Sequence, residues 1–81
     1  MDDILGFIRL SALTFTPRGY AACDGSLLQI SHSTALFALL GTQYGGDGTT
    51  TFALPNLTKM SPLPGLNYVI CVDGIFPSRS D

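Results

Sequence analysis

Residues Leu36 to Leu57, LFALLGTQYGGDGTTTFALPNL, place an apolar helical run, a glycine-rich loop and an extended segment within 22 residues. The run from Leu36 to Leu40 stops at Gly41, which can close a helix in the left-handed conformation. Gly45, Gly46 and Gly48 surround Asp47. Three glycines in four positions mark backbone at positive φ, which is costly for a residue with a Cβ and easy for glycine. Past the loop, Thr51, Phe52, Ala53, Leu54 and Pro55 read as a short strand with Phe52 and Leu54 pointing inward and Pro55 ending its ladder. This stretch specifies a shape, with Gly41, Tyr44, Gly45, Gly46, Asp47, Gly48 and Phe52 as its structural loop.

Working upstream, SHSTALFALLG (residues 31–41) is the one convincing helix, with Ser31 or Ser33 as its N-cap. Leu36, Phe37 and Leu40 share a face widened by Leu39, which is expected to pack on a sheet. His32 falls in the cap region and is read as a solvent-facing first-turn residue in preference to a pH switch or metal ligand. Tyr20 to Ile30, YAACDGSLLQI, has the form of a hairpin turning at Asp24-Gly25. Asp24 is read there as a turn residue whose carboxylate accepts backbone N–H bonds; no histidine or second acid lies close enough in sequence to build a nucleophilic set. Before it, TFTPRG (residues 14–19) is a turn at Pro17 and Gly19, with Phe15 expected to anchor it in the core. Residues 4–13, ILGFIRLSAL, alternate Ile8, Leu10 and Ala12 against Arg9, Ser11 and Leu13, the pattern of a strand with one buried face, and Gly6 permits a bend at its start.

Downstream, Thr58 to Gly65 is a connector with Pro62 and Pro64 favouring extended backbone. Asn67 to Asp73, NYVICVD, is rich in strand formers and is expected to lie centrally in the sheet. Ile75 and Phe76 are expected to anchor the end of the chain, and Ser78 to Asp81 to form a loose tail. The candidate core is Leu36, Phe37, Leu40, Tyr68, Ile70 and Phe76. Cys23 and Cys71, 48 residues apart, each fall on an expected strand. A disulfide between them is one reading, adding roughly 3 to 4 kcal/mol by chain entropy; two buried thiols are the other.

Composition bounds the function. At 81 residues the chain is expected to be one domain, residues 1–81, and a domain this small is marginal without staples or partners. It is 46% hydrophobic and only 12% charged, with mean hydropathy +0.34; a typical soluble domain is about 25% charged. Apolar surface is therefore expected to be covered by other subunits. The four basic residues do not cluster and the net charge is −2, which argues against nucleic acid as a partner. No apolar run reaches the ~18 residues of a membrane span, and Met1-Asp2-Asp3 starts with acid where a Sec signal carries base. The glycine loop lacks the lysine and following helix of a phosphate loop. One acid among glycines supplies too few oxygens for calcium, and two cysteines with one histidine make no usual zinc pattern. No proton-transfer pair is evident, so neither cofactor nor enzymatic activity is expected.

With these residues laid out, GFIRLSALTFTPRGYAACDGSLLQIS followed by ALFALLGTQYGGDGTTTFALPNL, residues 6–57, closely resembles the phage tail collar domain family. That family includes short tail fibre collar domains and bacterial proteins called microcystin-dependent. Pro17, Gly19, Cys23-Asp24-Gly25, Leu40-Gly41-Thr42, Tyr44 to Gly48 and Leu54-Pro55 carry the resemblance. LNYVICVDGIFPSRS is similar to the closing segment of longer bacterial members, from which only Thr58 to Gly65 separates it here, the form of a minimal member. The chain departs from the family in having Tyr20 for tryptophan, Asn56 for aspartate, and Thr58-Lys59-Met60 for an Arg-Gly-Arg type continuation, which weakens any salt-bridged handover to a following fibre domain.

The resemblance implies an α+β collar: an antiparallel sheet with one short helix, serving without catalysis as a structural joint in a trimeric fibre. It implies a homo-oligomer in a virion tail or extracellular surface assembly, with adhesion or host attachment as its purpose and other tail proteins as neighbours. The assembly is expected as a closed trimer or an open filament. The alternative is a glycan- or small-ligand-binding module in which Tyr44 stacks and Asp47 and the open loop backbone hydrogen-bond.

Overall fold

The computed structural model describes residues 3–77. In chain order its elements are strands β1 (Ile8–Ser11), β2 (Tyr20–Ala22) and β3 (Leu27–Gln29), a 3-10 turn (Ile30–His32), helix α1 (Thr34–Leu40), and strands β4 (Thr51–Ala53) and β5 (Asn67–Cys71). They form two antiparallel sheets, a three-stranded one in the order β1-β5-β2 and a two-stranded one of β3 and β4.

The run of strand formers in β5 takes the middle of the larger sheet. Ile8 lies opposite Ile70 and Leu10 opposite Tyr68 on one side, and Tyr20 opposite Cys71 and Ala22 opposite Val69 on the other. Both faces of β5 are covered, since Val69, Ile70 and Cys71 are all buried. A strand with neighbours on both sides and cover on both faces has little use for polar residues, which is why its alternation is weak.

The core gathers Leu5, Cys23, Leu36, Phe52, Leu54 and Ile70, with Phe37, Leu40 and Tyr68 packed partly buried around it. Leu36 is the buried residue of α1, and the neighbouring Phe37 ring meets that of Phe52 at 5.4 Å between centroids in a tilted pair, the geometry aromatic quadrupoles favour. Full burial of side chains such as Phe52, Leu54 and Ile70 contributes about 1.5–3 kcal/mol each. Gly41 ends the helix at φ +59°, its N–H donating to the Phe37 carbonyl at 2.7 Å. Ser33 occupies the N-cap but its side chain makes no capping bond. Residues 30–32 wind as the tighter 3-10 turn, closed by the Ser33 N–H on the Ile30 carbonyl, so the regular helix is shorter than the span 31–41 expected of it.

The hairpin expected over Tyr20 to Ile30 does not form, because β2 pairs with β5 and β3 with β4. Asp24-Gly25 is a corner between sheets. Gly25 at φ +82° turns the chain out of the first sheet, Asp24 bridges to Asn56, and the Leu57 N–H reaches the Cys23 carbonyl at 2.8 Å. Partners from the second half of the chain thus outcompete the local pairing. Phe15, Ile75 and Phe76, expected as anchors, are exposed, and so is Tyr44. The Ile75 main chain does the holding in place of its side chain: its N–H donates to Asp3 and its carbonyl accepts from Leu5 at 2.8 Å. β1 also differs from expectation, since Ile8 and Leu10 are both exposed; the strand lies at the sheet edge, where no further strand covers it. The expected loose tail, Ser78 to Asp81, lies outside the described residues.

Gly46 and Gly65 separate two costs. A Cβ at Gly46 would stand 2.4 Å from Phe52 Cα and 2.7 Å from the Thr51 carbonyl oxygen, whereas one at Gly65 would meet nothing within 4 Å, and both have positive φ. Gly65→Ala is expected to cost about 1–2 kcal/mol from φ alone. Gly46→Ala is expected to cost about 1–3 kcal/mol more, because backbone has to move. Denaturant midpoints of the two variants measure the difference.

Candidate functional site

The glycine loop between α1 and β4 is built around one carboxylate. Asp47 Oδ1 accepts the N–H groups of Thr49 and Thr50 at 2.8 Å and of Thr51 at 2.9 Å, and Oδ2 accepts the Thr50 hydroxyl at 2.8 Å. The Thr51 hydroxyl in turn accepts the Asp47 N–H at 3.3 Å. Three serial N–H groups can converge on one oxygen only if the chain curls tightly, and Gly45, Gly46 and Gly48, at φ +131°, +95° and +74°, supply that curl. Gly45 returns its carbonyl to the Ala53 N–H at 3.0 Å, and Gly48 donates to the Thr51 carbonyl at 3.0 Å, which fastens the loop to β4. The N–H donors of Thr51, Thr50 and Thr49 hold the Asp47 carboxyl well below the usual carboxylate range. The carboxylate expected to serve a glycan subsite is thus already bonded within its own loop, while Tyr44, three residues earlier in the chain, is exposed.

Asp24 behaves as the turn residue expected: its Oδ1 accepts the Ser26 N–H at 3.0 Å and the Ser26 hydroxyl, which lowers its pKa. Pro17 and Gly19 shape the turn before β2, with the Tyr20 N–H on the Pro17 carbonyl at 3.1 Å and Gly19 at φ +85°. Asn56, where the family has aspartate, accepts from the Thr58 N–H and hydroxyl, a local turn that needs no charge. His32 is exposed in the 3-10 turn.

Cys23 and Cys71 are buried thiols with no disulfide between them. The strand register explains this. Tyr20 is the residue opposite Cys71, and the Cys23 N–H binds the Tyr68 carbonyl, so the two cysteines are offset by three residues, roughly 10 Å along the strands and beyond disulfide reach. Burial, and to a lesser extent the Asp24 charge, pushes the Cys23 thiol up to about 11, which makes it a poor nucleophile at neutral pH.

One cluster has no sequence signal. Arg9 donates to Asp3 through Nε at 2.7 Å and Nη2 at 2.8 Å, the Tyr20 hydroxyl donates to Asp3 Oδ2 at 2.6 Å, and the Ile4 N–H donates to Oδ1 at 2.8 Å. Arg9 first, then Tyr20, hold the Asp3 carboxyl well below its usual range, and Asp3 raises the Arg9 and Tyr20 values in return. The arrangement clamps the start of the chain to β1 and β2. The hydroxyl that closes it belongs to a position where the family has tryptophan, and only the fold brings residues 3, 9 and 20 together.

A cavity of about 190 Å³ opens between the Leu13–Thr16 loop and the connector, lined by Ser11, Phe15, Leu57, Ser61 and Tyr68 among others. Among the described residues no group of three His, Cys, Asp or Glu side chains could hold a metal, and no helix is long and apolar enough to cross a membrane.

The family model of the phage tail collar domain matches residues 6–62, which takes in β1 to β4, the corner at Gly25 and the whole glycine loop. The chain belongs to the phage tail collar domain family. No curated protein matches it. A collar domain is a structural part of a phage tail fibre, so membership gives this chain a structural role in a phage tail, and Gly46 packed on β4 and Asp47 closing the loop are the means by which it keeps its shape.

Two measurements check these assignments. Asp47 has a depressed carboxyl, so its contribution to stability is complete above the unfolded value near 3.8 and is lost as pH falls through the lower folded value. Asp47→Asn is therefore expected to be less stable than wild type at neutral pH, with the gap closing below pH 3.8, as read from melting temperatures across pH. Thiol titration is expected to find Cys23 and Cys71 slow to react in the folded protein and both reactive in denaturant without a reducing agent.

Proposed function

We propose that the chain is a structural and adhesive subunit of a phage tail, a tail-like particle or a derived surface assembly, and that it works by associating with copies of itself. The observation that carries this reading is its exposed apolar surface: eleven large hydrophobic side chains are exposed among the described residues, in a chain with only ten charged residues to keep it in solution. Exposed hydrophobics scattered singly are ordinary. Phe7, Ile8, Leu10, Leu13 and Phe15 instead all fall within residues 7–15, on and beside the edge strand β1, and a concentration of that kind supports an interaction surface.

Burial of several hundred Å² per partner would contribute on the order of 10 kcal/mol before association costs, a large term for so small a core. Assembly is then part of what stabilises the fold, and the copy-to-copy contact is a joint in the tail. A closed trimer and an open filament are the two forms this association can take, with other tail proteins as further neighbours.

Light scattering after size exclusion tests the reading. The purified chain is expected to run above monomer mass, with a melting temperature that rises with concentration. A monomer at millimolar concentration, with a concentration-independent melting temperature, would remove the proposal.

A further inference from the structure

We infer that the cavity between the Leu13–Thr16 loop and the connector is a binding site for one neutral sugar ring. The site is independent of the self-association proposed above. It is also separate from the glycine loop, whose carboxylate is spent on its own backbone.

Strand register builds the floor. Side chains directly opposite one another across a sheet share a face, and so do residues two apart along a strand. Ser11 is opposite Asn67, and Val69 is opposite both Arg9 and Ala22. Ser11, Asn67, Val69 and Ala22 therefore lie on one face of the three-stranded sheet, while Ile70 and Ala21 on the other face join the core. The loop after β1 and the connector before β5 complete the walls around about 190 Å³.

The polar groups of the walls are open to a ligand. Ser11 Oγ accepts the Leu13 N–H at 3.1 Å and keeps its own proton to donate. The Ser61 hydroxyl donates to the Leu63 and Leu66 carbonyls at 2.8 and 2.6 Å, and the Thr58 hydroxyl to Asn56 Oδ1 at 2.8 Å, so both oxygens remain acceptors. No hydrogen bond among the described residues engages the Thr14, Thr16 or Asn67 side chains, and none of these groups is sealed from solvent. Free donors and acceptors are thus set beside the hydrocarbon of Val69, Ala22 and Leu57. A sugar ring answers both, with hydroxyls at its rim and C–H groups on its faces.

Charge and shape narrow the class further. Among the described residues that line the cavity, Asp24 is the one charged side chain, and its Oδ1 is held by Ser26. An acid with no base beside it disfavours phosphates and sugar acids. Phe15, 66% exposed and on the wall, favours a ring over an open-chain polyol, because the negative face of an aromatic attracts the C–H groups of a pyranose. The volume lies below the roughly 300–1,000 Å³ that drug-sized ligands occupy. One ring fits, and the remainder of a longer glycan stays outside.

Amide chemical shifts of the purified chain are followed in titrations with glucose, galactose, mannose and N-acetylglucosamine, and with glucuronic acid at neutral pH. At least one neutral sugar is expected to give saturable shifts at residues 14–16 and Asn67, with a Kd on the order of millimolar for so small a ligand. Phe15→Ala and Asn67→Ala are each expected to weaken binding about fivefold, the loss of one stacking contact or one hydrogen bond. Both positions are exposed, so the core is untouched. Tyr44→Ala is expected to bind as wild type does, and glucuronic acid to leave these amides unmoved. No saturable shift with any neutral sugar at ~100 mM, a preference for glucuronic acid, or Phe15→Ala and Asn67→Ala proteins that titrate like wild type would each overturn the site. Shifts confined to residues 44–48 and lost in Tyr44→Ala would overturn it as well, in favour of the glycine loop.

Discussion

Main chain packed directly on main chain, at Gly46 over Phe52, is the contact on which the rest of this small fold depends. No side chain separates them, and a single added carbon would collide with the strand. Because the loop can lie flat on β4, the Phe52 side chain is driven into the core, where it meets Phe37 and joins Leu36, Leu54 and Ile70. Asp47 then locks the curl from outside through three N–H groups. Glycine provides the approach and aspartate closes it; neither would suffice alone, since the curl without the carboxylate leaves those donors to water.

The two sheets follow from the same economy of chain. Neither β3 nor β4 exceeds three residues, and a two-stranded ribbon of that length has no independent stability in water. It persists because its inner face shares a core with β5 and α1. Chain reversals in such a fold serve to pass between layers, which is why Asp24-Gly25 makes a corner where local turn chemistry alone suggests a hairpin.

Much of this is legible in the amino-acid sequence. Gly41, Gly45, Gly46 and Gly48 announce positive φ by their spacing, NYVIC announces a buried central strand, and the helix shows in its apolar run with Gly41 as its stop. What could not be read was which large hydrophobics go inside. Phe15, Tyr44 and Phe76 look like core residues by type, but burial depends on which strand ends at an edge, and pairing between distant segments decides that. The Asp3, Arg9 and Tyr20 clamp was hidden for a related reason: its members follow no period, and an acid near the start of a chain has many ordinary explanations.

The parallel bridge between Ile4 and Ile75 brings the two ends of the described chain side by side. A fold whose entry and exit share one doorway can be spliced into a host polypeptide, or reopened elsewhere by circular permutation, without redrawing its interior. Because the two segments run parallel there, chain attached before Ile4 and chain attached after Ile75 would depart in opposite directions, so a longer fibre would run straight past with the folded body to one side of its path.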